Sequence, residues 1–312
     1  MRDIIKKIIK RILATIPMLI IVSFISFALM NLSSGDPAEI MLSSQGSVVT
    51  PQLLESVRED MGLNQPFVTQ YLNWLKNIIH GDFGTSYASG RSVIVEMNEH
   101  LPYTIKLAGS AMIITLIVSI PLGILSAVKK DKFIDKFIRL FTFVGNSIPG
   151  FLLALILLLV FSLKLKLLPI LSESGAKSII LPSVTLAFAM TSKYIRQIRT
   201  AVIEELDKGY VKGARSRGIK ESVILYKDVL KNIMITVITL TGLSIGSLMG
   251  GTAVVESIFV WPGVGSLALS AIANRDYPII QAYVLWMAVM FIIINLITDL
   301  LYKIIDPRVR EV

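Results

Sequence analysis

The chain has no cysteine and only two histidines in 312 residues, which excludes disulfide staples, thiolate nucleophiles and Cys-ligated metal. The two histidines, His80 and His100, lack the i, i+4 spacing that places two ligands on one helical face, so they read as surface residues. Charge is also scarce. Only 17% of residues are charged against 54% apolar, and the mean hydropathy of +0.70 is too high for a water-soluble globule. A phosphate-binding loop is missing as well: Gly84-Thr-Ser-Tyr-Ala-Ser-Gly-Arg-Ser92 is too widely spaced and has Arg91 where a Lys is needed, and Trp261-Pro-Gly-Val-Gly265 lacks the third glycine of a dinucleotide site. On this reading the chain binds no nucleotide or other cofactor of its own and is not an enzyme in the sense that it has no ATPase site, so energy must come from another chain.

Long apolar runs take the place of these features. Crossing about 30 Å of hydrocarbon requires roughly 20 helical residues, and six stretches meet this near 12–32, 103–128, 137–162, 179–203, 233–259 and 279–303. The pattern predicts an all-α integral membrane protein with six transmembrane helices. Lys and Arg concentrate at the N-terminus (Arg2, Lys6, Lys7, Lys10, Arg11), at 129–139 (Lys129, Lys130, Lys132, Lys136, Arg139), at 193–231 and in the tail (Lys303, Arg308, Arg310). The positive-inside rule then places both termini in the cytoplasm of a cell membrane. Lys164, Lys166 and Lys177 fall against this pattern, in a loop assigned outside. The net charge of +9 is distributed over loops rather than one basic face, which fits topology and anionic membrane lipid and not nucleic acid. The first run exceeds the 7 to 15 residues of a signal peptide core and is read as an uncleaved anchor.

The expected divisions are an N-terminal tail with the first span (1–32), an extracytoplasmic helical segment (33–100), a five-helix core (101–303) holding a basic cytoplasmic loop (204–232), and a tail (304–312). In the external segment, Thr50-Pro51 caps a helix that Gly62 stops, and a second amphipathic helix runs from Pro66 to Gly81 with Tyr71 and Trp74 on its apolar stripe. These two aromatics are the candidate anchors for a docking partner. In the basic loop, 207–218 reads as a short helix after a turn at Gly209, ended by Gly218. Gly242, Gly246 and Gly250 recur at four-residue spacing on the fifth span, a pattern for close helix packing. Asn146, Ser147, Ser244, Ser247, Met249, Thr252 and Glu256 are candidates for a polar translocation path, Asn146 and Ser147 lying beside Pro149-Gly150. Glu256 is the acid within an apolar run, while Asp299 is placed to pair with Lys303 one turn on.

Gly62-Leu-Asn-Gln-Pro66, Gln70-Tyr-Leu-Asn-Trp-Leu75 and Gly81-Asp-Phe-Gly-Thr-Ser86 in the external segment, followed by Leu101-Pro102, Glu256-Ser-Ile-Phe-Val-Trp-Pro-Gly-Val-Gly265, Arg275-Asp-Tyr-Pro-Ile-Ile-Gln281 and Asp306-Pro-Arg308, resemble the membrane permeases of peptide and nickel ABC importers. The resemblance covers nearly the whole chain and implies a type I importer permease fold. It implies a second homologous permease, two cytoplasmic ATPase subunits that bind ATP and Mg, and an extracytoplasmic solute-binding protein as partners. It assigns ATPase coupling to the 207–218 helix, with Tyr210, Ala214, Arg215 and Gly218 as its contacts; Lys212 and Gly213 depart from the family's Glu-Ala-Ala pattern. The cargo it implies is nickel or a related divalent metal, free or chelated, with dipeptides or oligopeptides as the alternative. An ion-coupled secondary transporter is the reading from another class.

Overall fold

The structure, a computed structural model, describes residues 2–33, 35–169 and 175–305; the Asp306-Pro-Arg308 motif and the side chains of Asp299 and Lys303 lie outside the described residues. Thirteen α-helices account for most of the described residues. They are α1 (Arg2–Leu32), α2 (Pro37–Ser44), α3 (Pro51–Asp60), α4 (Phe67–Ile79), α5 (Val93–Val128), α6 (Phe133–Ser147), α7 (Gly150–Leu157), α8 (Ile180–Leu206), α9 (Gly209–Ser216), α10 (Glu221–Val223), α11 (Leu230–Ile258), α12 (Val264–Ala273) and α13 (Tyr277–Ile305). A wide π turn, Leu158–Lys164, continues α7, and another, Ile224–Val229, leads from α10 into α11.

Five helices are each long and apolar enough to cross a membrane: Leu13–Leu32, Val93–Val128, Lys177–Leu206, Glu221–Gly250 and Tyr277–Thr298. The third expected span, 137–162, is present as a broken one. It consists of two helices, Phe133–Ser147 and Gly150–Lys164, bent by 100°. Proline explains the break, since Pro149 supplies no N–H and its ring drives the preceding residue out of helical geometry. Ile148 is accordingly extended, at φ −84° and ψ 121°.

The chain divides into two compact units, Met1–Thr104 with Pro262–Ile293, and Ile105–Trp261 with Ile294–Val312. In the first unit, Asp36 caps α2 by accepting from the Ala38 amide at 3.0 Å, and Thr50 caps α3 by accepting from Leu53 at 3.3 Å. Gly62 ends the α3 turn at φ +69°, a conformation that costs a glycine nothing. Phe67, Tyr71 and Trp74 of α4 pack against Phe24 and Phe27 of α1, with ring centroids 5.3 to 5.8 Å apart. Pairs of this kind add about 0.5–1.5 kcal/mol each beyond the area they bury. A second apolar cluster joins Val93 and Met97 of α5, Val264 and Ala271 of α12, and Ile279 and Ala282 of α13.

In the second unit the long helices approach closely where one of them carries a glycine. A Cβ at Gly123 of α5 would lie 2.7 Å from Ile198 of α8, one at Gly145 of α6 2.0 Å from Ser192 of α8, and one at Gly242 of α11 2.1 Å from Thr298 of α13. Of the glycine stripe expected on the fifth span, Gly242 sits at such a crossing, whereas Gly250 is exposed.

The α6–α8 contact also holds a buried ion pair. Asp135, with a fully buried side chain, accepts from Arg199 Nε and Nη2 at 2.8 and 2.9 Å, from Ser126 Oγ at 2.6 Å and from the Asp131 amide at 2.9 Å. Deleting one partner of such a pair strands the other and costs about 3–5 kcal/mol. One carboxylate thus ties the end of α5, the start of α6 and the middle of α8.

Candidate functional site

The short helix expected at 207–218 is α9, and its faces are sharply different. Val211 and Ala214 are buried at 0% and 3% exposure, while Lys212, Gly213, Arg215, Ser216 and Arg217 are exposed. Gly218 closes the helix at φ +73°, which lets its amide reach the Arg215 carbonyl at 2.9 Å and the Ile219 amide reach Ala214 at 3.2 Å. Ala214, expected at the contact face, is turned into the chain itself; a helix only two turns long must bury its few apolar residues to be held at all. Gly213 is the small residue on the free face. Beyond the helix's own adjoining backbone and its two chain neighbours, nothing lies within 4 Å of where its Cβ would be.

A polar network anchors α9. Glu205, near the end of α8, is 7% exposed. It accepts from Tyr210 Oη and Asn232 Nδ2, both at 2.8 Å, and pairs with Lys208 Nζ at 2.6 Å. Asn232 Nδ2 also donates to the Tyr210 oxygen at 3.0 Å. Burial first, and then the hydrogen bond to Glu205, push the Tyr210 phenol up to about 12, so it remains a proton donor at any physiological pH. Glu205 therefore fastens α8, α9 and the start of α11 to one another. Arg215 pairs with Glu221 across the loop, and this raises its pKa further above the ordinary range.

The path candidates divide between two surroundings. Ser244, Met249, Thr252 and Glu256 are buried; Thr252 Oγ1 donates to the Met249 carbonyl at 3.4 Å. Asn146, Ser147 and Ser247 are exposed, with Ser147 Oγ donating to Phe143 at 2.9 Å and Ser247 Oγ to Ser244 at 2.9 Å. Leu243, Ser247, Gly250, Val254 and Ser257 form one exposed helical stripe on α11. The carbonyl of Glu256 accepts from the Trp261 amide at 2.7 Å, closing α11 through Val260 at φ +50°.

On the external segment the two docking candidates also separate. Tyr71 is 7% exposed, its hydroxyl 2.9 Å from Ser23 Oγ of α1, so its ring supports the fold and offers little to a partner. Trp74 is half-buried and lines a cavity of about 600 Å³ with Glu59, Asp60, Asp82, Gln70 and Asn73. The far wall of this cavity is the 82–87 loop, which a second carboxylate holds in shape. Asp276 is 2% exposed and accepts from Ser86 Oγ at 2.5 Å and from the Tyr87 and Ala88 amides at 3.1 and 3.3 Å. Tyr277 Oη donates to Ser33 Oγ at 2.7 Å, and its ring meets Tyr87 edge-on. Burial, followed by the Asp276 charge, pushes the Tyr87 phenol well above its ordinary value. His80 and His100 each place Nδ1 within 2.8 Å of a carbonyl one turn back, Lys76 and Glu96 respectively. Among the described residues no group of three or more His, Asp or Glu is arranged to hold a metal ion.

Asp135, Glu205, Asn232 and Asp276 carry most of this geometry and were not singled out from sequence. Three of the four were nonetheless marked. Asp135 is an acid in a basic loop, Glu205 ends an apolar span, and Asp276 lies in a motif already quoted.

Residues 119–311 match the family described as binding-protein-dependent transport system inner membrane component, and residues 4–108 match the N-terminal region of such membrane components. The chain is 39% identical over 307 residues to the metal-staphylopine import system permease protein of Staphylococcus aureus, covering 98% of each. It is 37% identical over 303 residues to the glutathione transport system permease protein of Escherichia coli, covering 97% of this chain and 98% of that one. The solved inward-facing MetNI methionine ABC transporter gives a TM-score of 0.58 at 12% identity over 68% of this chain and 97% of its own, a likeness of fold.

Proposed function

From the premise that this chain belongs to the family of binding-protein-dependent transport system inner membrane components, we propose that it is the permease through which an ABC importer moves a divalent metal, nickel foremost, in chelated form. Its fold is that of a type I ABC importer permease, an all-α multi-pass membrane protein. The observation that carries the cargo is the 39% identity, end to end, with a permease whose name pairs a metal with staphylopine. The glutathione permease relative keeps a peptide as the second reading, and the family's dependence on a binding protein sets aside an ion-coupled transporter.

In this reading a second permease completes the path, two ATPase subunits supply ATP and Mg, and a solute-binding protein delivers cargo outside. Both termini lie in the cytoplasm, on the side where Lys and Arg concentrate. Cargo arrives over the face bearing the 600 Å³ cavity, a volume within the usual range for small organic ligands, and Trp74 is the ring left there for a partner. The exposed Ser247–Gly250 stripe borders the path. The hydroxyls of Ser247 and Ser257 hold cargo weakly, as release requires. ATPase closure pushes on the free face of α9, and Glu205 passes that displacement into α8 and α11 together.

The test is uptake by cells that express the chain with its neighbouring importer genes or lack it. Metal content is measured by elemental mass spectrometry with nickel supplied alone or with a chelator. Chelated nickel should accumulate in a manner that depends on the chain, without competition from dipeptides. Chain-dependent dipeptide uptake with unchanged metal content would overturn the metal reading in favour of the peptide one.

A further inference from the structure

A cavity of about 230 Å³ lies at the junction of α5, α6 and α8, lined by Ser126, Arg139, Thr142, Phe143, Arg196 and Arg199 among others. Three guanidinium groups converge on it, and they are unequally neutralised. Arg199 is paired bidentately with Asp135. Arg139 reaches Asp135 only at 3.7 Å and Asp131 at 4.0 Å, beyond hydrogen-bond length. Arg196 is exposed and has no acidic partner among the described residues. The cavity therefore offers two arginines whose donors are largely unused, beside the Asp135–Arg199 ion pair.

The surroundings select the ligand. On α6, Phe143 lines the cavity and is 71% exposed, and Leu140, one turn back along the helix, is 59% exposed. In a membrane protein such a surface meets acyl chains, so a group with an anionic head and an apolar tail satisfies both features at once. We propose that the cavity binds the phosphate of an anionic phospholipid, with Arg139 and Arg196 donating to its oxygens and the tails leaving past Phe143. Guanidinium forks match phosphate bidentately. The space corresponds to roughly eight waters at ~30 Å³ each, enough for a phosphate and part of its glycerol. Because the site joins the same three helices as the Asp135 pair, a bound lipid braces that junction from its membrane side. The assignment depends on membrane embedding and not on the cargo.

Native mass spectrometry of the full-length chain in mild detergent, titrated with phosphatidylglycerol or phosphatidylcholine, tests this. The parent should retain phosphatidylglycerol in preference, and Arg139→Gln with Arg196→Gln should reduce that preference by about tenfold, while Lys at both positions restores part of it. Arg196→Gln alone removes no protein ion pair, so it carries the test if the double variant fails to fold. Equal phosphatidylglycerol retention by parent and variant would overturn the proposal. So would inorganic phosphate displacing the lipid at equal concentration, which marks a site for a free anion. Neither result bears on metal uptake, which is measured separately.

Discussion

Asp276 and Glu205 are both nearly buried carboxylates that fasten a short segment to long helices, but they recruit different donors. Asp276 takes two of its three hydrogen bonds from backbone amides, those of Tyr87 and Ala88. Glu205 takes all of its bonds from the side chains of Lys208, Tyr210 and Asn232. A carboxylate that binds backbone fixes a loop's own path and leaves that loop one shape. One that binds side chains fixes a helix as a body while its backbone ladder and outer face stay free. The first arrangement suits a wall, the second a lever.

Substitution on α9 gives the largest expected effect. Gly213→Trp fills open space on the free face, so the importer should assemble normally yet transport at under about one-tenth of the parental rate, since an obstruction at a docked surface easily exceeds 1.4 kcal/mol. Ala214→Trp drives an indole into the buried face, and its expected outcome is loss of folded chain. Transport by Gly213→Trp at the parental rate, measured in reconstituted vesicles, would remove α9 from the coupling role and end the comparison with a lever.

Asp276→Ala sharpens the other side. It strands the Ser86 hydroxyl and the Tyr87 amide in buried surroundings, and at about 1 kcal/mol or more for each buried donor left unmade the cost is about 2 kcal/mol. Limited proteolysis should then cleave the 82–92 loop faster, while cleavage within 204–232 stays at the parental rate. Equal acceleration at both sites would show that the clasp and the lever are not independent.

Val260→Gly is the smallest effect and has the opposite sign. Val260 closes α11 at φ +50°, where a β-branched residue is strained by roughly 1–2 kcal/mol. Glycine should raise the apparent unfolding temperature by relieving about 1 kcal/mol of it. A fall in unfolding temperature would mean that packing of the valine outweighs the strain.

The spans were legible because hydrocarbon thickness imposes a length and composition that no other environment demands. The stop at Gly218 was legible for a similarly local reason, a left-handed turn that glycine adopts freely. The break at Pro149 in the third span was not read from sequence, and its angle goes with packing on α8, where Gly145 meets Ser192 and Phe141 meets Phe188. Which face of α9 turns inward was readable in principle, since Lys212, Arg215 and Arg217 leave only Val211 and Ala214 for burial. The clasp was not readable. Ser86 and Asp276 stand 190 residues apart, and nothing local in either segment specifies the other. Two motifs quoted separately for the family resemblance, Gly81–Ser86 and Arg275–Gln281, meet as one fastening.

The bend at Pro149 also bears on how the chain is made. Each limb, Phe133–Ser147 and Gly150–Lys164, has a length of only about 22 Å at 1.5 Å per residue, short of the ~30 Å of hydrocarbon it must cover. Neither limb alone is a segment the insertion machinery would release into lipid. Both limbs, through Lys164, have to be delivered before the segment can partition, so this region enters lipid as one span bent at its proline.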